Sequence, residues 1–432
     1  MCGIALKHDG HTVTILERGD SARQSHQAGI ALGTDVERFL QRHDRLTSVF
    51  SSRALCLQTL DKEESPKMFL TARRDITSWD SMYFRLRANF DGLKSSFYPS
   101  PPQKAATDGL AEYAAHREVC DLSRNSQTGK MIVTMRDRNA NNAESSIEAD
   151  LVIGADGPDS WVRARYLPSC KRQFSGYVGW RGTVLERELS ASTVRVFRNS
   201  LTIHLMGGQH VMCYLIPGRD GTVEKGERYA NLIWYTNETQ ASLDEIMTDA
   251  IDGHRHRNII PAGHVRKDIW DQKVADAHDL KFPSPFLEVV QKIQQPFIQI
   301  ITDYISPHPT FENGQVVLIG DAFTQYRTHT GMSTTQAAFN TLTVADYAAG
   351  RMSKAVLEER MLRYAGVHHA QSNMFGKYYQ VGKWEAIKAA CWFGWLAAAD
   401  KVKSWWNREE PLMRGFSRVA PEEWQAALNE AD

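Results

Sequence analysis

Hydrophobic and polar positions change rhythm along this chain, and the changes mark its elements. Residues 1–18 read as the end of a helix, a turn at Asp9-Gly10, and a strand from His11 to Leu16 in which Val13 and Ile15 share one face. Helical spacing runs through residues 102–118. Three strands are then predicted at Glu118–Asp121, Met131–Asp137 and Ser146–Gly154, with the polar run Asn125–Lys130 as the turn before Met131. From about Lys171 to Ile301 the pattern becomes short strands rich in Val, Ile, Tyr and Trp and punctuated by Gly. Ser200–Met206, His210–Ile216 and Ala230–Tyr235 are examples, and together they predict an antiparallel sheet domain. A helix over Phe286–Gln295 stops before Pro296, and Gly314–Gly320 gives a buried strand that ends at Asp321. Everything after Ser333 is helical in pattern.

Charge and composition narrow the classes. The 432 residues carry 51 Lys and Arg against 51 Asp and Glu, a balance that argues against a nucleic-acid binder. With 42% hydrophobic and 24% charged residues the chain is ordinary globular material, long enough for two or three domains. Six Cys are scattered without a CxxC pair, which disfavours a zinc ribbon or a disulfide scaffold and predicts a reducing compartment. No signal-peptide pattern is found, and the aromatic stretch Ala389–Ala399 is too short to span a bilayer, so a cytoplasmic protein is expected.

Three motifs carry candidate chemistry. Gly3, Leu6, Gly10, Val13 and Glu17 have the spacing of the second half of a dinucleotide-binding unit, with Glu17, followed by Arg18, where a carboxylate holds ribose hydroxyls. That carboxylate belongs about 20 residues after the glycine fingerprint. Only sixteen residues precede Glu17, so the first strand and its GxGxxG turn are expected upstream of Met1, as in a shortened gene model. Second, Asp150–Arg163 delivers Gly154-Ala-Asp156-Gly157 into a loop, with Ser160 and Arg163 on a short helix. Glycine lets a backbone approach a ligand, and a carboxylate with an Arg can position a diphosphate-ribose group, although a plain strand-to-turn transition has the same letters. Third, Gln315–Gly331 is a buried strand ending in Gly320-Asp321, then a loop and a long helix whose first N–H groups can face an anion or an electron-rich ring edge.

In this order, the ribose Glu, GADG-x-x-S-x-V-R and V-L-I-G-D-A, the motifs resemble the FAD-dependent aromatic hydroxylases of the p-hydroxybenzoate hydroxylase fold, over nearly the whole chain. Further stretches look like the 2,6-dihydroxypyridine hydroxylase branch: Gln27-Ala-Gly29-Ile-Ala-Leu32, Thr77-Ser-Trp-Asp80 with Leu86-Arg87, Gly176-Tyr-Val-Gly-Trp-Arg-Gly182, and Tyr214-Leu-Ile-Pro-Gly218 with Asn231 and Trp234-Tyr235. Arg327-Thr-His-Thr-Gly331 is similar to that branch's Arg-Pro-His segment, with Thr328 for Pro.

The resemblance implies an α/β fold: a Rossmann-like FAD/NAD(P)-binding domain, discontinuous in sequence, an antiparallel-sheet substrate domain and a C-terminal helical region. The expected divisions are 1–170 (with a substrate-domain excursion near 60–100), 171–305, 306–350 and 351–432. It implies FAD with Glu17 and Arg18 at the adenosine ribose, Gly29 in a matching stretch, and Asp321 on the ribitol. Gly331 and Met332 would lie near the isoalloxazine, and Asp156, Gly157 and Arg163 in a motif linked to both FAD and NAD(P)H. The implied reaction is insertion of one oxygen atom from O2 into an electron-rich aromatic or heteroaromatic ring through a flavin C4a-hydroperoxide, with NAD(P)H as reductant. The cofactor carries that chemistry, and the protein positions substrate and excludes water.

Several side chains have two readings. His329 can relay a proton from a phenolic or hydroxypyridine substrate, or simply bond to loop backbone; Arg327 can hold an anion, or form a surface ion pair. Tyr177, Trp180 and Arg181 can line a planar ligand's pocket or serve as sheet core, and His204, His210 and Tyr214 share that ambiguity. His254-Arg-His256 and His368-His369 lack metal-ligand spacing, so no metal is assigned. Trp384, Trp392, Trp395, Trp405 and Trp406 are expected to pack against the flavin domain, with a membrane-surface face or a homodimer left open. Two rivals stand beside the hydroxylase: a flavin halogenase, whose W-x-W-x-I-P motif is not found, and a flavin-deficient remnant of the fold that acts as a binding protein.

Overall fold

The computed structural model describes residues 1–20, 28–414 and 419–424. Gln27, the first letter of one quoted stretch, lies outside them. Helix α1 (Cys2–His8) leads through the Asp9-Gly10 turn into β1 (Val13–Leu16), then β2 (Gly29–Leu32) and α2 (Thr34–His43). The long hairpin β3 (Ser52–Leu60) and β4 (Pro66–Ser78) ends in α3 (Trp79–Asp91). Next come β5 (Ala111–Ala114), β6 (Arg117–Arg124), β7 (Met131–Asp137), β8 (Ala143–Ala149), β9 (Val152–Gly154) and α4 (Trp161–Tyr166). The middle of the chain is β10 (Gln173–Leu185), α5 (Ala191–Phe197), β11 (Ser200–Met206), β12 (Gln209–Ile216), β13 (Tyr229–Asn237), α6 (Gln240–Ile246), β14 (Ile259–Ile260), α7 (Lys267–Asp279), α8 (Ser284–Lys292) and β15 (Phe297–Ile305). The last part is β16 (Thr310–Phe311), β17 (Val316–Leu318), β18 (Thr324–Gln325), α9 (Ser333–Ala348), α10 (Lys354–Gln380) and α11 (Lys383–Asn407).

Two centres of packing result. A ten-stranded sheet runs β14-β15-β10-β13-β12-β11-β3-β4-β2, with β18 attached to β15. Period-two alternation sends Val178, Trp180 and Val184 of β10, with Leu232 and Trp234 of β13, to one face, where they pack with Phe286, Val289 and Val290 of α8. The other centre collects the parallel pairs. There β1 pairs with β5, and β9 with β17, while Leu318, Ile319, Phe323, Val344 and Met361 form a core with Leu6, Met131 and Val133. Ligand crevices of open α/β sheets lie beyond the carboxyl ends of parallel strands. Glu17 follows β1, Asp156 follows β9, and Asp321 follows β17.

Three expectations are corrected. Residues 102–118 hold no helix; Pro101-Pro102 and Gly109 break the turn, and Ala111–Ala114 instead satisfies its backbone as a parallel strand on β1. The strand expected at Ser146–Gly154 is two, because β8 pairs with β7 and is largely exposed, while β9 leaves that hairpin to pair with β17. The C-terminal tryptophans do not pack inward: Trp384, Trp405 and Trp406 are 81%, 77% and 78% exposed, and Trp392 stacks on Trp395 at the surface. No helix among the described residues is long and apolar enough to cross a membrane.

Candidate active site

The second face of the large sheet is built from rows of paired residues. Gly179, Tyr235 and His210 lie in register across β10, β13 and β12, followed by Arg181, Ile233 and Met212, then Thr183, Asn231 and Tyr214. Aromatic rings and a guanidinium thus share one surface, as Tyr177, Arg181 and Tyr214 suggested as one of their two readings. Arg181 is buried, donates to Gln299 Oε1 at 2.9 Å and lies 5.2 Å from the Phe297 ring. His204 does not join this surface, since its Nδ1 meets the Leu60 carbonyl at 2.7 Å and its ring packs near Phe282 and Phe286.

The loop after β17 closes over this surface. β18 pairs with β15 (Tyr304 with Gln325, Ile305 with Thr324), which launches residues 326–332 across the sheet. Gly331 ends the short turn at φ +64, a conformation that costs a residue with a Cβ about 1 kcal/mol, and an added Cβ would sit 3.0 Å from that of Ala31. Within the loop, His329 is ringed by Tyr235, His210, Tyr379 and Tyr177, with centroids 4.9, 5.2, 5.4 and 5.5 Å away. Its Nε2 is 2.7 Å from the Tyr177 hydroxyl, while its Nδ1 is buried without a hydrogen-bond partner among the described residues. Burial, with His210 and Arg327 nearby, holds the His329 imidazole well below its ordinary pKa, so it is neutral at physiological pH. Burial likewise holds His210 down to about 3, and Gln380 on α10 bonds its Nδ1 at 3.0 Å. Arg327 donates through Nε to Asp303, which also takes the Ser175 hydroxyl at 3.3 Å and lies 3.6 Å from His369. That ion pair is largely buried, not at the surface.

On the other side of Gly331 a cleft is lined by Gly33, Arg74, Met332, Thr335, His368 and Arg414. Thr335 Oγ1 accepts the Gly33 N–H at 3.2 Å, so α9 sits against the start of α2. The first turn of α9 has no side-chain cap, leaving its N–H groups directed out of the helix beside Gly331 and Met332. Asp321 has one carboxylate oxygen buried without a partner among the described residues, and burial pushes its pKa up to about 6. Tyr304 donates its hydroxyl to the Asp321 carbonyl.

Arg163 is buried and occupied. It donates to Tyr304 Oη at 2.5 Å and to the carbonyls of Ala322, Pro158 and Cys170 at 2.9, 2.6 and 3.2 Å, tying the loop after β9 to the loop after β17. Asp156 accepts from Ser160 Oγ at 2.5 Å and from the Val162 N–H at 3.1 Å, which shapes the Gly157 turn and the start of α4. Glu17 accepts the Gly19 N–H at 2.8 Å, and Arg18 is exposed. Gly29 lets β2 lie against the Tyr214 ring of β12, since a Cβ there would come 2.5 Å from it. The structure therefore gathers His329, Arg327, Tyr177 and Arg181 at the sheet face, Gly331 and Met332 beside them, and Asp321 with Asp156 and Arg163 at one pair of strand ends. Tyr379 and Gln380 were missed, because a Tyr-Gln pair in a long helix carries no sequence signal; Arg74 was missed because it looks like any strand cation.

A ribitol–isoalloxazine group fits this donor set: the orphaned Asp321 oxygen suits a hydroxyl, and the uncapped α9 start suits the electron-rich edge of a ring. The chain has the fold of the p-hydroxybenzoate hydroxylase-type FAD-dependent monooxygenases and is similar to them in sequence, as the motifs indicated. A family model described as FAD binding domain-like matches residues 174–303, the sheet segment from β10 to β15. The chain is 26% identical over 350 residues to 2,6-dihydroxypyridine 3-monooxygenase of Paenarthrobacter nicotinovorans, covering 79% of this chain and 78% of that protein. It superposes on the structure of 2,6-dihydroxypyridine-3-hydroxylase from Arthrobacter nicotinovorans with a TM-score of 0.73 at 24% identity, over 88% and 91% of the two chains. A salicylate hydroxylase substrate complex matches with a TM-score of 0.58 at 15% identity, over 100% of this chain and 94% of that one.

Proposed function

We propose that this protein hydroxylates a planar, electron-rich aromatic or heteroaromatic ring that carries an ionisable hydroxyl. Bound FAD, reduced by NAD(P)H, supplies the activation of O2 and the transfer of one oxygen atom. Asp321 would hold its ribitol, the first turn of α9 with Gly331 and Met332 would hold its ring, and Glu17 would hold the adenosine ribose. The observation that carries the reading is His329, a neutral imidazole with one nitrogen on Tyr177 and the other unpartnered, on an aromatic sheet face one loop away from the cofactor cleft.

In that position His329 accepts the substrate hydroxyl proton at Nδ1, while its Nε2–H stays donated to the Tyr177 oxygen, which fixes the ring's orientation. Burial keeps Tyr177 a neutral phenol that accepts this hydrogen bond without taking the proton, and Arg327, anchored by Asp303, stands 6.0 Å from the Tyr177 ring centroid. Ionising the ring raises its electron density, which favours attack on an electrophilic oxygen. The ring lies against Tyr235 and Tyr214, with Arg181 available to an acidic group. The relatives' names, for a dihydroxypyridine and for salicylate, describe rings of this kind.

The test is FAD uptake followed by a screen of hydroxylated rings for coupled NAD(P)H oxidation and product formation. His329→Gln is expected to lower turnover by about 100-fold, with activity recovering as pH rises toward the substrate's own pKa, and Tyr177→Phe to lower it by about 10-fold. Wild-type rates and an unchanged pH profile in both variants would overturn His329 as the proton acceptor. No FAD taken up from excess would overturn the enzyme reading itself.

A further inference from the structure

Residues 249–264, between α6 and α7, hold a cluster remote in sequence from every residue assigned above. His256 Nε2 and His264 Nδ1 converge on the same oxygen of Asp249, Oδ2, at 2.6 and 2.8 Å, and the three donor atoms all lie within 4.8 Å of one another. Asp249 is buried, and its other oxygen accepts the Ile251 N–H at 2.8 Å, which fixes the carboxylate's direction. Backbone bonds fix the rest. The Asp249 N–H donates to the His254 carbonyl, Ala250 to His264, and His256 to Met247, at 2.9 Å each, and Thr248 bridges Arg255. His254 packs edge-on against the His256 ring, with centroids 5.3 Å apart, and it is His264 that supplies the second imidazole at the carboxylate.

Apolar burial does not explain this order. Between residues 250 and 264 Ile260 alone is buried, and the two-residue strand β14 is the segment's one regular element. Its shape rests on those backbone bonds and on the His-Asp-His contact. Two neutral imidazoles and one carboxylate are the donor set of three-ligand zinc sites, with water completing the shell. Zinc bonds of about 2.0–2.1 Å in tetrahedral geometry place ligand atoms about 3.3 Å apart, so the donors need shift by only about 0.5–1 Å. Asp249 Oδ1, held by backbone, supplies the orienting contact that such ligands require.

We propose that Asp249, His256 and His264 form a binding site for a divalent transition metal, Zn2+ in the first instance, which clamps the 249–264 loop beside the edge of the large sheet. The ion replaces the two imidazole N–H donors at the carboxylate, so each ring presents a lone pair to it.

The test uses the full, tag-free chain stripped with chelator and titrated with ZnCl2 against a chromophoric competitor. The expected result is about one Zn2+ per chain bound at about 10 µM free metal, with a higher Tm and slower proteolysis in the loop. His256→Ala/His264→Ala and Asp249→Asn should each lose the equivalent, and His254→Ala, an exposed neighbour, should keep it. Co2+ in the wild-type chain should give the visible bands of a low-coordinate site, a readout that needs no variant to fold. Zinc binding that is absent, or equal in wild type and double variant, would leave a purely hydrogen-bonded His-Asp-His cluster and overturn the proposal, as would wild-type Co2+ spectra identical to the free ion.

Discussion

At the scale of single residues, Asp321 shows function opposing stability. Its pKa is raised from 3.8 to about 6 by burial, so between those values the folded chain holds a proton that the unfolded chain has released. Its stabilising contribution is complete below about 4 and is lost as pH rises through about 6, a cost near 3 kcal/mol at neutral pH. Asp321→Asn removes the charge. The cofactor-free variant is therefore expected to be more stable than wild type at pH 8, with an advantage that shrinks by roughly half at pH 5, as denaturant titrations at the two pH values will show. The same position should matter most for the flavin: FAD retention is expected to fall much further in Asp321→Ala than in Glu17→Ala, and equal retention would contradict the assignment.

At the scale of elements, α10 is the piece that sequence patterning left featureless and the structure makes important. Gly376 lies where a Cβ would come within 2.8 Å of Arg327 Cδ and 3.0 Å of the Tyr177 hydroxyl. Helix propensity alone says that Ala stabilises such a position by about 1 kcal/mol. The expected outcome of Gly376→Ala is a Tm close to that of wild type with turnover several-fold lower, because the added methyl displaces the Arg327–Tyr177 contact; paired melting and rate measurements check it. The signals that were legible share a property. Gly320-Asp321 and Gly154-Ala-Asp-Gly157 are local strand-to-turn chemistry, and the alternation in β11 to β13 is local periodicity. What was not legible depends on partners far along the chain. Ala111–Ala114 is a strand because β1 offers it an edge, and His264 reaches Asp249 through turns that no spacing rule describes.

At the scale of the whole molecule, the exposed tryptophans of α11 contrast with Trp180 and Trp234, which are buried in the large sheet's helix-covered core. Iodide is expected to quench a large part of the fluorescence in dilute solution and to leave a protected component; little quenching would mean that this helix is covered in solution. The architecture also constrains how the molecule can be divided. β2, β3 and β4 enter the large sheet from the N-terminal part of the chain, β10 to β15 with β18 supply its other strands, and Arg163 stitches residues 158 and 170 to residue 322. The backbone passes between the two packing centres repeatedly. A single scission anywhere between α2 and β17 therefore leaves two fragments that each need the other's strands to finish a core. Swapping the substrate-facing half with that of a relative requires at least two separate exchanged segments, one from each side of the 111–166 stretch.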